Sequence, residues 1–126
     1  MKKYIYILIG LAFLGGIIFL IMSPGKPGKY DTFATCLVEK GAKFYGAFWC
    51  PHCQNQKAKF GKSAKLLPYV ECSTPDSRGQ LQVCIDADIK TYPTWDFVTG
   101  STTERLTGVI EMEQLAEKTS CVLPQL

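Results

Sequence analysis

From Tyr4 to Met22 the chain runs for nineteen residues without a charge or a proline, YIYILIGLAFLGGIIFLIM. At about 1.5 Å per residue, a helix of that length reaches across the roughly 30 Å hydrocarbon core of a bilayer. A cleaved secretory signal is the alternative. It would carry an apolar core of about 7–15 residues and a small-residue cleavage site. This run is longer, and IMSPGKPGKY after it holds no A-x-A pattern. No cysteine closes the run, as a lipoprotein would need. Residues 1–22 are therefore read as a retained N-terminal anchor, which removes them from the folded domain.

Charge says little about orientation. Lys2 and Lys3 precede the span and Lys26 and Lys29 follow it, so the positive-inside rule gives nearly a tie. The net charge of +3 belongs to those lysines. Setting them aside leaves ten basic against eleven acidic side chains, which gives no electrostatic case for nucleic acid. Cysteine is more informative about the side of the membrane. Six cysteines in a small extramembrane region is a dense and even count that favours an oxidising compartment. The expected topology is a single-pass protein of the cell membrane, its C-terminal domain on the extracytoplasmic side.

Residues 23–29, SPGKPGK, form a linker that neither helix nor strand accepts. No internal repeat follows. The globular part is residues 30–126, small but able to form one core. DTFATCLVEKG reads as a helix with Asp31 as its N-cap and Gly41 as its stop. AKFYGAFW reads as a strand running straight into Cys50, and Pro51 suits the first turn of the helix that follows. Along that helix Cys53, Phe60, Ala64 and Leu67 share one stripe, with Asn55, Lys59, Lys62 and Leu66 opposite, and Pro68 closes it. YVECS is a strand, STPDSRGQ a loop and GQLQVCIDADI a short helix. YPTWDFV is a strand with a proline at its mouth, TGSTTERLTG a turn and an edge strand, and EMEQLAEKTS an amphipathic helix. Helix-joined strands followed by a hairpin imply an α/β fold with a mixed central sheet flanked by helices.

The chemistry concentrates in FWCPHC, residues 48–53. A thiol reacts as its thiolate. A strand feeding a helix N-terminus turns free backbone N–H groups and the positive end of the helix dipole toward Cys50. Cys53 falls one turn inside, near enough to close a disulfide and shielded from solvent. His52 adds a donor or a positive charge beside the Cys50 thiolate. A stabilised thiolate makes the corresponding disulfide a stronger oxidant. Zinc is the competing use of such a pair, but tetrahedral sites usually need a second pair of ligands at short spacing. Cys36, Cys72, Cys84 and Cys121 are all far apart in sequence. No metal or other cofactor is expected. A purely structural Cys50–Cys53 bond is the remaining alternative.

Trp49, Cys50, Cys53, Pro93 and Gly108 together resemble the signature of the thioredoxin fold, with FWCPHC, then YPTW, then LTG before the last helix. Within that superfamily GAKFYGAFWCPHCQNQK, YVECS, VCIDADI and YPTW look like the thioredoxin-like domain joined to bacterial and plant homologues of vitamin K epoxide reductase. The resemblance covers about residues 33–120. It implies that Cys50 attacks or is attacked and that Cys53 resolves. It further implies that Pro93 is a cis-proline facing the dithiol, with the Tyr92 backbone pairing with an extended substrate beside Trp49. A trans-proline at a strand start is the plainer alternative. The resemblance also implies a second disulfide, Cys72–Cys84, stapling the STPDSRGQ loop; a redox relay through that pair is the alternative. Cys36 and Cys121 are left open: they pair with each other, pair between chains, or stay free.

Two departures stand out. The chain holds one apolar span, not the four-helix reductase domain usually joined to this module, so a quinone-linked redox partner is expected to be a separate membrane protein. Thioredoxin and DsbA also carry a buried acid in the strand before the dithiol, whereas this strand offers Phe44. The expected function is a membrane-anchored thiol–disulfide oxidoreductase that oxidises cysteine pairs in exported proteins. A reductase or isomerase fed by a membrane electron carrier, or a non-catalytic peptide-binding module, are the alternatives.

Overall fold

A computed structural model describes residues 2–22 and 25–125. Met1, Ser23, Pro24 and Leu126, the outermost parts of the expected anchor, linker and domain, lie outside the described residues. Helix α1 spans Lys2–Met22, and its Lys3–Met22 stretch is long and apolar enough to cross a membrane, with none of it buried against the rest of the chain. Residues 25–28 have no regular structure.

The globular part follows the expected element order, with most elements shorter than the sequence suggests. It comprises α2 (Asp31–Glu39), β1 (Lys43–Gly46), α3 (Pro51–Phe60), a 3₁₀ stretch (Gly61–Leu66), β2 (Tyr69–Glu71), α4 (Gln82–Asp86), β3 (Thr94–Thr99), β4 (Thr102–Thr107) and α5 (Met112–Thr119). The strands form one mixed sheet in the order β2-β1-β3-β4. β1 and β2 are parallel, with α3 as part of the crossover, while β1–β3 and β3–β4 are antiparallel. The expected α/β class and mixed sheet are thus what the chain adopts, and β4 is an edge strand as anticipated.

Burial explains the layering. Phe33 and Leu37 from α2, Phe44 from β1, Cys53 and Phe60 from α3, Trp95 and Phe97 from β3, and Leu115 from α5 form one core. Phe44 stacks on Trp95 at 4.7 Å between ring centroids, and Phe33 stacks on Phe60 at 6.0 Å. A smaller cluster of Tyr45, Cys72, Cys84 and Ile89 forms a second core. The β3–β4 ribbon is braced by a forked ion pair in which Arg105 meets Asp96 through Nε at 2.7 Å and Nη2 at 2.8 Å. Asp96 is buried, and its hydrogen bond holds the Arg105 guanidinium above its ordinary range.

Three local expectations are corrected. Asp31 does not cap α2: it is the first helical residue, and its carboxylate turns back to accept the Gly28 N–H at 2.9 Å. β1 stops at Gly46, four residues short of Cys50, because Ala47 to Trp49 curl into a turn in which the Cys50 N–H donates to the Ala47 carbonyl. The helix after Cys50 does not run to Leu67. It ends at Phe60, where Gly61 takes a positive φ of 54° that glycine tolerates, and a 3₁₀ stretch completes the path.

Candidate active site

The turn at Ala47–Trp49 delivers Cys50 to the N-cap of α3, with Pro51 in the first turn. Cys50 takes extended backbone angles there, so its sulfur faces the open helix end and accepts the Cys53 N–H at 3.3 Å. That is one of the free donors every helix N-terminus exposes. Cys50 is more enclosed than the sequence suggests, at 5% exposed, because the Tyr92 carbonyl lies 3.8 Å from its sulfur. Cys53 is completely buried. Burial, and then its hydrogen bond with Cys50, push the Cys53 thiol up to about 12. His52 is exposed on the first turn and takes part in none of the hydrogen bonds around the two sulfurs among the described residues.

Tyr92–Pro93 is a cis peptide, and Pro93 is buried immediately before β3. Trp49 is half-exposed and packs edge-on against Tyr92 with centroids 6.2 Å apart. The aromatic pair and the proline thus come next to Cys50 through the Tyr92 carbonyl. Beside them runs a groove of about 390 Å³ lined by Trp49, Tyr92, Arg78 and Lys90 among others.

The cysteines sort into two classes. Cys50 and Cys53 are free thiols, while Cys72–Cys84 and Cys36–Cys121 are disulfides. The Cys36–Cys121 bond joins residues 85 apart, tying the tail after α5 to α2; this is one of the three arrangements the spacing left open. No group of three or more His, Cys, Asp or Glu side chains that could hold a metal ion occurs among the described residues.

Several residues around the dithiol escape a reading of motifs. Glu71, at the end of β2, accepts the N–H groups of Phe48, Cys72 and Ser73 through Oε1 at 2.9–3.2 Å. Its Oε2 accepts the Tyr69 hydroxyl at 2.8 Å. Trp49 Nε1 donates to Ser73 Oγ at 2.8 Å. The loop before Cys50 is therefore clipped to the segment that carries Cys72. Gln56 is fully buried on α3, and its amide exchanges two hydrogen bonds with the Ile110 backbone at 2.7 and 3.1 Å. Gly46 leaves room for the buried sulfur: a Cβ there would lie 2.9 Å from Cys53 Sγ and 2.9 Å from Tyr69 Cε2. Phe44 fills its place in β1 as a fully buried core ring and brings no ionisable group.

A family model described as thioredoxin matches residues 35–120. Thiol-disulfide oxidoreductase LTO1 of Arabidopsis thaliana is 47% identical over 90 residues, which cover 68% of this chain and 23% of that protein. The chain thus spans less than a quarter of the length of this curated relative. Among solved structures, a thioredoxin of Fasciola hepatica matches with a TM-score of 0.43 and 18% identity, covering 64% of this chain and 79% of that one.

Proposed function

Since this chain belongs to the thioredoxin family, we propose that it is a thiol–disulfide oxidoreductase working through Cys50 and Cys53. The observation that carries this reading is the sorting of the six cysteines: only the pair at the start of α3, beside the cis Tyr92–Pro93 bond, is free to exchange. A relative called a thiol-disulfide oxidoreductase supports the same reaction. In that reaction a partner thiolate attacks the Cys50 sulfur of the Cys50–Cys53 disulfide, and Cys53 leaves as a thiolate. A second partner thiolate then attacks the partner's own sulfur in the mixed disulfide. The partner disulfide forms, and Cys50 leaves as a thiolate with the electron pair. Run backwards, the same steps reduce a disulfide.

The Tyr92 N–H donates no hydrogen bond among the described residues, which leaves it to pair with an extended partner chain. Trp49 and Tyr92 flank that path, and the Cys72–Cys84 disulfide holds the loop beside it. His52, exposed on the first turn, provides a donor or positive charge beside the Cys50 thiolate. α1 anchors the domain as a single pass in the cell membrane, on the extracytoplasmic side, where cysteine pairs of exported proteins are its substrates. The resemblance to the module joined to vitamin K epoxide reductase homologues points to a quinone-linked membrane redox partner.

Trapping tests the chemistry and poising tests its direction. Cys53→Ala is expected to hold partner proteins on Cys50 as mixed disulfides, and Cys50→Ala to hold almost none. Poised against glutathione, an oxidase should have a potential less negative than about −230 mV, towards the roughly −120 mV of DsbA. A potential at or below that value assigns the reductase role instead. External protease added to intact cells should digest the domain; a protected domain overturns the topology.

A further inference from the structure

Whichever way electrons flow, the Cys53 sulfur carries negative charge when the Cys50–Cys53 bond forms or breaks. The site makes that difficult. Cys53 is completely enclosed and its thiol is pushed up to about 12, chiefly by burial. β1 supplies no carboxylate to manage the proton, since its residues are Lys43, Phe44, Tyr45 and Gly46.

The groups facing Cys53 are few. Cys50 lies on the same helix turn, and its hydrogen bond and charge oppose ionisation. Tyr69 from β2 meets the sulfur across the bare Cα of Gly46. Its hydroxyl is committed to Glu71 at 2.8 Å, and its own ionisation is pushed upward by burial and by that carboxylate. Lys57 stands one turn after Cys53 on α3, on the same face, with its Nζ 3.3 Å from the centre of the Tyr69 ring. Among the described residues the Ala47 backbone favours the Cys53 thiolate more, and Lys57 adds a positive charge that favours it as well. Lys57, Ala64, Lys65, Leu67 and Tyr69 line an open pocket of about 450 Å³. None of its lining residues belongs to the groove beside Trp49 and Tyr92.

We infer that Lys57, seated on the Tyr69 ring at this second opening, is a positioning residue that stabilises the Cys53 thiolate. A cation over an aromatic face is held by the ring quadrupole. Glu71 fixes the ring by its hydroxyl, so the ammonium is placed and not merely nearby. In the resolving direction, the Cys53 thiol releases its proton to water and its thiolate attacks the Cys50 sulfur. The Cys50–Cys53 bond forms, and the bond from Cys50 to the partner breaks. The partner then departs as a thiolate with the electron pair. This inference rests on dithiol exchange at Cys50, but its test does not need a protein partner.

Glutathione is coupled to Cys50 of the full chain in detergent, and its release by Cys53 is followed from pH 6 to 10. Lys57→Met and Lys57→Gln should each slow release about tenfold at neutral pH and move the rate profile about one pH unit higher, the equivalent of that factor. Lys57→Arg should restore most of the rate. Lys65→Met, on the rim of the same opening but acting on Asp31 and not on Cys53, should leave both unchanged. Parent-like release and pH profile in the two neutral variants overturn the inference, as does an equal loss in Lys65→Met. Because glutathione is loaded chemically, release from the parent shows the dithiol chemistry whatever protein trapping finds, so the two readings fail separately.

Discussion

Gly46→Ala is the smallest change that tests how the buried half of the dithiol is held. The new methyl would lie 2.9 Å from both Cys53 Sγ and Tyr69 Cε2, and 3.4 Å from Cys53 Cβ. The first two distances are well inside contact distance, since non-bonded heavy atoms settle at about 3.5–4.0 Å. Neither neighbour is a loose end. Cys53 is fixed on α3 and fully buried, and the Tyr69 ring is held by its hydroxyl bond to Glu71 and its edge contact with Phe44 at 5.2 Å. Overpacking of a tight interior costs about 1–3 kcal/mol, so the reduced variant should unfold in urea with a loss in that range. In a Cys53→Ala background the sulfur is gone, and about 1 kcal/mol of the loss should be recovered as coupling between neighbours. The parent, the two single variants and the double variant, unfolded under reducing conditions, give that coupling directly. Strict additivity, or a Gly46→Ala variant as stable as the parent, refutes the placement of the sulfur against β1.

Alkaline pH offers a second test. Because the folded state holds the Cys53 proton up to about 12 against an ordinary thiol value of 9.0, its contribution is fully present below pH 9 and is lost as pH rises toward 12. The reduced parent should therefore lose stability relative to Cys53→Ala in that window, by at most about 1.4 kcal/mol per pH unit. The oxidised protein should show no such difference, which urea midpoints at three or four pH values would reveal. Arg105→Met leaves the buried Asp96 carboxylate without its forked partner, and a drop of about 3 kcal/mol is expected from urea unfolding. Replacing Cys72 and Cys84 together with Ala removes a staple across residues 12 apart. It should cost roughly 3 kcal/mol by calorimetry or urea unfolding on the chain-entropy account, while glutathione exchange at Cys50 stays within a few-fold of the parent.

The fold was legible because its strongest signals are local. An uncharged run, a Pro–Gly linker, a C-x-x-C at a strand-to-helix junction and a hairpin before a last amphipathic helix are each read from one continuous stretch of sequence. Boundaries were less legible, since Gly46 ends β1 and Gly61 ends α3 for reasons of tertiary space and backbone conformation that no periodicity carries. Polar residues show the limit best. Gln56 and Glu71 carry no motif in sequence, yet Gln56 is buried against the Ile110 backbone and Glu71 gathers three N–H groups and a hydroxyl. Half of those six bonds reach partners 23 or 54 residues away, which meet only once the sheet forms. Nothing local in the sequence singles out Lys57; its role depends on the Tyr69 ring that β2 brings beneath it.

The Cys72–Cys84 disulfide is also more tightly bound to the dithiol than its place in a loop suggests. Ser73, next to Cys72, accepts the Trp49 indole N–H, and Glu71, on its other side, holds the Phe48 N–H. Gln80, on the closed loop, donates to the Tyr92 hydroxyl and the Ile89 carbonyl, both at 2.8 Å. Both flanks of Cys50 thus hang on one stapled segment. Releasing the staple should loosen Trp49 and Tyr92 together, which weakens the hold on an extended protein partner without touching the sulfur chemistry. A staple and an electron relay therefore differ in which substrate feels the loss. A staple predicts slower exchange with protein partners, mainly through weaker binding, and near-parent exchange with glutathione, which needs no groove. A relay predicts that the first exchange at Cys50 is spared for both, while turnover with the membrane electron partner stops.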